Sequence, residues 1–135
     1  MTRVIFWFLF FLGIVTPAYT QDVSYPQPTG YVVDQSGIID ADTKNRLETL
    51  IQELKQKTGA EIAVVTVDST DPLSIEEYAA NLYQRFGIGQ RGKDNGVLLL
   101  VAYKDHRMKI EVGYGLEGAV TDALSISIIA NIMRP

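Results

Sequence analysis

The spacing of apolar residues changes several times along the chain, and each change predicts an element. Residues 4–15 are an unbroken apolar run, preceded by Arg3 and followed by Thr16-Pro17-Ala18-Tyr19-Thr20. A positive start, a short apolar core and a small or polar exit predict a secretory signal peptide over residues 1–20, cut just before Gln21. The run is shorter than the roughly 20 residues that a membrane-spanning helix needs. Residues 21–30 hold Pro26, Pro28 and Gly30 without periodicity and are expected to form an extended linker. The domain proper is expected over residues 31–135, opening with a short strand at residues 31–33.

Leu47, Leu50, Ile51 and Leu54 then recur at the helical interval, behind Asp40 or Asp42 as cap and ahead of Gly59 as stop. Residues 62–67 are a nearly continuous, β-branched run, as expected of a strand covered on both faces. Ser74-Ile75-Glu76-Glu77 reads as the capping box of a second helix, with Ile75, Tyr78, Ala79, Leu82 and Phe86 on one face and Gly87 as its stop. Residues 97–103 predict a second buried strand. Beyond the turn Lys104-Asp105-His106-Arg107, Met108, Ile110 and Val112 alternate with Lys109 and Glu111. That alternation predicts a strand with one wet face, antiparallel to its predecessor and near an edge. A last helix from Thr121 or Asp122 is apolar most of the way round and wants cover on more than one side. The order helix, strand, helix, strand, strand, helix predicts an α/β fold with a small parallel or mixed sheet. Because so apolar a helix stops at Arg134-Pro135, the domain is expected to be incomplete at its C-terminus.

Composition narrows the function classes. The 135 residues include no Cys, 12 Lys+Arg and 16 Asp+Glu. One basic residue, Arg3, lies in the leader, so the remainder sets 11 basic residues against 16 acidic ones, the wrong balance for nucleic-acid binding. A chain without Cys is indifferent to an oxidising compartment, which suits export to the periplasm, to the exterior, or to a membrane-tethered position outside.

Two GxGxxG patterns imitate nucleotide sites. Gly87-Ile88-Gly89-Gln90-Arg91-Gly92 joins a helix to a strand, the reverse of the dinucleotide order, and reads as a helix stop followed by a connection. Gly113-Tyr114-Gly115-Leu116-Glu117-Gly118 follows a strand and precedes a helix, but Glu117 and Asp122 bring negative charge where a phosphate would sit. No nucleotide is expected. The hairpin instead brings Asp94, Glu117 and Asp122 toward one end of the sheet. Oxygen ligands suit a hard divalent cation, Ca²⁺ first and Mg²⁺ or Mn²⁺ as alternatives, better than Zn²⁺. Each acid also has an ordinary reading: Asp94 as a turn residue, Asp122 as a helix cap, Glu117 as a solvated charge. His106, the single His, reads as an exposed turn residue.

Tyr31-Val32-Val33-Asp34, Gly37-Ile38-Ile39, Thr58-Gly59, Glu77-Tyr78-Ala79, Gly87-Ile88-Gly89, Asp94-Asn95-Gly96-Val97-Leu98-Leu99, residues 113–118 and Thr121-Asp122-Ala123 together resemble the TPM domain family, from about Tyr31 to the end of the chain. The resemblance implies a three-layer α/β/α sandwich exported behind a signal peptide, often tethered by a later membrane helix. It implies divalent-metal binding, usually calcium, carried here by Asp94, Asn95, Glu117 and Asp122, with Asp34 as a further candidate. It also implies two kinds of work. One is an assembly or maintenance role with an envelope or membrane protein partner, as in members linked to photosystem II repair. The other is metal-dependent acid phosphatase activity on phosphomonoesters, as in thylakoid members.

Overall fold

A computed structural model describes residues 17–18 and 21–133. The expected signal peptide, apart from Pro17 and Ala18, lies outside the described residues. Four strands form one sheet in the order β1 (Val32–Asp34), β2 (Glu61–Val67), β3 (Gly96–Ala102), β4 (Arg107–Val112). The first three are parallel and β4 is antiparallel to β3, so the sheet is mixed. Between them run α1 (Ala41–Thr58) and α2 (Ile75–Phe86); α3 (Asp122–Ile128) follows β4.

Local chemistry sets the helix ends. The Asp40 carboxylate accepts from the Thr43 amide at 2.8 Å and Ser74 Oγ accepts from the Glu77 amide at 3.1 Å, each occupying an amide that the first turn leaves without a partner. Gly59 and Gly87 end the two helices at φ 77° and 61°, where a side chain would be strained. Thr121, not Asp122, caps α3, which leaves the Asp122 carboxylate exposed in its first turn. The last helix is shorter than its apolar run suggests, passing into a π-helical turn at Ile129–Met133, and Leu124, Ile126 and Ile132 are exposed on it. None of the described helices is long and apolar enough to cross a membrane.

Strand alternation divides the interior in two. Val33, Val65, Leu98 and Leu100 meet Tyr78, Ala79 and Leu82 of α2 on one face, while Val32 and Val64 meet Ile51 of α1 on the other. Strand order advances in one direction while the two helices take opposite faces, so one crossover has the uncommon left hand. The alternation in β4 has a different meaning from the expected wet face. Glu111 and Lys109 pair across the ladder with Leu98 and Leu100, which are fully buried, so both charges stand on the face that α2 covers. Residues 21–30, expected as a linker, form no helix or strand and are docked. Tyr25 stacks on Tyr78 at 4.6 Å, Arg85 lies over the Tyr25 ring, and the Tyr78 hydroxyl donates to the Ser24 carbonyl at 2.9 Å.

Candidate functional site

The antiparallel hairpin brings the start of β3 beside the end of β4. Asp94, in the turn before β3, has φ 46°, a left-handed conformation that Asp tolerates better than most residues. Its carboxylate accepts from the Tyr83 hydroxyl at 2.9 Å and from the Tyr114 amide at 2.8 Å, while its carbonyl accepts from the Gly115 amide at 3.0 Å. One acid thus joins α2, the turn before β3 and the 3₁₀ turn Tyr114–Leu116. Burial, then the bond to Asp94, pushes the Tyr83 phenol well above its ordinary range, so it stays a donor.

Gly113 and Gly115 of the second pattern, together with Gly96, serve this junction by being small. A side chain at Gly113 would collide with the Asp94 carbonyl and the Tyr83 hydroxyl, one at Gly115 with the Lys93 carbonyl, and one at Gly96 again with the Tyr83 hydroxyl. Gly113 has φ −64°, which any residue adopts, so its smallness alone is required. The first glycine pattern is a connection held by other groups. Its Gly89 amide donates to Glu61 and its Gln90 amide to the Asn95 side chain, both at 2.8 Å.

The sequence-derived site residues separate into three groups. Asp94, Glu117 and Asp122 all belong to the same end of the sheet: Glu117 closes the 3₁₀ turn that Asp94 holds, and Asp122 lies near enough to Glu111 to disfavour its charge. Asn95 adjoins them but is committed. Its side-chain oxygen takes the Gln90 amide and its nitrogen donates to the Gly59 carbonyl at 3.0 Å. Asp34 is at the other end, paired in register with Thr66, five rows along β2 from Glu61 and about 17 Å away at ~3.3 Å per residue. Burial works against its charge, but the Thr66 hydroxyl and the Ile39 and Ile38 amides outweigh that and hold its carboxyl below the ordinary range. Asp34 is a staple for the loop after β1 and does not join the other acids.

A model of the TPM domain matches residues 32–135. The chain belongs to this family. Among solved structures it is similar to the N-terminal domain of a P. gingivalis protein, with 30% identity and a TM-score of 0.73, over 79% of this chain and 68% of that one. It is also similar in fold to the N-terminal domain of a Corynebacterium glutamicum protein, with 21% identity and a TM-score of 0.55, over 82% of this chain and 77% of that one. None of the curated proteins matches at a significant level.

As they stand, the described residues of this TPM domain include no three His, Cys, Asp or Glu side chains close enough together to hold a metal ion. Two residues of the site were not legible in the sequence. Tyr83 is not among the stripe residues that the sequence singles out on α2, and only the fold puts Gly96 and Gly113 beneath its hydroxyl. Glu111 reads as the wet side of an edge strand, yet burial first, and Asp122 as a repelling neighbour, raise its carboxyl above the ordinary range. Its stability effect follows in sign. A raised carboxyl destabilises the fold in its charged form, so the cost is absent below about pH 4 and grows as pH rises through the folded value. Glu111→Gln is therefore expected to raise the melting temperature at pH 7 and to leave it unchanged at pH 3.5. Thermal unfolding at the two pH values measures this, and a Glu111→Gln variant less stable at pH 7 would contradict it.

Proposed function

We propose that this TPM domain is an exported binding module whose working surface is the junction of Asp94 with residues 113–117. The observation that carries this reading is Tyr114. Its side chain is 80% exposed, while its own amide is fixed to the Asp94 carboxylate. A large aromatic held out on a stiffened turn is the kind of anchor that protein interfaces use, because little conformational freedom is lost on binding. The partner in this reading is an envelope or membrane protein.

A divalent cation, Ca²⁺ first, belongs to the proposal as a ligand of the exposed carboxylates Asp94, Glu117 and Asp122. Asp34 is left out because it stands at the other end of the sheet, and Asn95 because its neutral amide is tied to Gln90 and Gly59. The Asp94 carboxylate accepts from Tyr83 and Tyr114 but carries the charge that a cation needs. Binding would require Glu117 and Asp122 to move toward Asp94, so it should appear as added order in residues 113–122. A cation bound only by the folded state raises its stability by mass action. Millimolar Ca²⁺ is expected to raise the melting temperature by several degrees relative to chelator, and Asp94→Ala or Asp122→Ala to abolish the rise. An unchanged melting temperature in the parent protein would refute the cation and leave the Tyr114 surface to be tested by its loss of partner binding on Tyr114→Ala.

Acid phosphatase activity is the second reading, and the site's geometry constrains it. His106 is exposed in the hairpin turn at the far end of β3 and β4, so proton transfer at Asp94 would fall to a carboxyl group. Phosphomonoester turnover that disappears with Asp122→Ala would favour this reading over the module.

A further inference from the structure

The opposite end of the sheet carries a second feature that the Asp94 surface does not use. In open α/β sheets a crevice forms beyond the carboxyl ends of two neighbouring parallel strands when the helices that follow them leave to opposite faces. β1 and β2 meet that condition, since α1 and α2 pack on opposite faces. A cleft of about 530 Å³ lies there, lined by Gln35 from beyond β1, by Asp68, Ser69 and Asp71 from beyond β2, and by Asp22 and Ser24 of the docked N-terminal segment.

The walls are built before any ligand arrives. Asp34 staples the loop after β1 through the Ile38 and Ile39 amides and the Thr66 hydroxyl. Asp105 does the same for the loop after β2, accepting from Ser69 Oγ at 2.8 Å and the Thr70 amide at 2.9 Å. The Tyr78 hydroxyl pins the N-terminal segment through the Ser24 carbonyl. Charge and size then select the occupant. Lys104 pairs with Asp68 at 2.7 Å, whereas Asp22 and Asp71 have no ion pair among the described residues, and no basic side chain lines the cleft. An anion such as phosphate is repelled there. A bare metal ion would leave most of the space to water, at about 30 Å³ per molecule, whereas the volume falls in the range of pockets that take small organic molecules.

We propose that this crevice binds a small organic cation, an ammonium or guanidinium group whose donors meet Asp22, Asp71 and the Gln35 side-chain carbonyl. The site is separate from the Asp94 surface and does not depend on what that surface does.

The test is an NMR titration of the ¹⁵N-labelled full chain with L-arginine methyl ester, with calcium chloride and inorganic phosphate in separate arms. Saturable shifts are expected in the amides of residues 22–24, 35–37 and 68–71. The dissociation constant should rise at least tenfold when Asp22→Asn and Asp71→Asn are combined, and stay unchanged in Asp94→Asn. Gln35→Ala, at an exposed position, is the second variant, with at least a threefold weakening expected. Three results would overturn the proposal: no saturable shifts in these segments, shifts that survive both variants, or the same shifts produced by calcium at lower concentration.

Discussion

Gly113→Ala is expected to destabilise the domain by about 3 kcal/mol, the upper end of the usual cost of forcing one extra methyl group into a closed space. The added carbon would meet the Asp94 carbonyl and the Tyr83 hydroxyl. Neither can give way cheaply, because one is backbone in a left-handed turn and the other is hydrogen-bonded to the Asp94 carboxylate. The backbone at Gly113 suits alanine, so no part of the loss comes from φ. Gly118→Ala is the control. An added carbon there meets nothing within 4 Å, and a change within about 0.5 kcal/mol is expected of such an open position. Denaturant unfolding of both variants gives the comparison. Equal midpoints would mean that the second glycine pattern is flexible connection and that the junction does not hold Asp94. The same experiment bears on function, since a displaced Asp94 takes the Tyr114 turn with it.

Tyr78→Ala is expected to cost about 4 kcal/mol, in the range for deleting a buried aromatic ring. Tyr78, on the sheet-facing side of α2, is 2% exposed, and its ring also carries Tyr25. The loss should be accompanied by release of residues 21–25, read as faster amide exchange there. Tyr78→Phe keeps the packing and removes the bond to Ser24, for about 1 kcal/mol. Burial, then the neighbouring Tyr25, pushes the Tyr78 phenol up to about 12. Ionisation therefore costs more in the folded state than in the unfolded chain. Stability linked to this hydroxyl is complete below pH 10 and is lost as pH rises through about 12, a loss that Tyr78→Phe should not show. A Tyr78→Ala variant as stable as the parent would mean that the N-terminal segment and α2 do not share one core.

The helices, strands and their stops were legible because local rules govern them. Ser74 and Asp40 cap where an acceptor precedes a helical stripe, and Gly59 and Gly87 stop helices because only glycine adopts their backbone without strain. That Asp94, Glu117 and Asp122 share one end of the sheet was legible, since an antiparallel hairpin brings the start of one strand beside the end of the other, but among the described residues they do not close into one cluster. Asp34 misled because its position beside a strand end says nothing about which end of the sheet it occupies. Parallel pairing of β1 with β2 sends it to the far side, where Thr66 engages it.

By itself the sequence determined the element order, the mixed α/β class and the family, all properties of residues close together along the chain or of their spacing. Tertiary structure alone decided which face of β4 carries Glu111, why Gly113 must be small, and that the segment before β1 docks on α2. The physical reason is that side-chain periodicity states that a strand has two faces without saying what covers each one. Only packing α2 on the face of Leu98 and Leu100 half-buries Glu111, sets the Tyr83 hydroxyl over Gly96 and Gly113, and leaves Tyr114 standing in solvent.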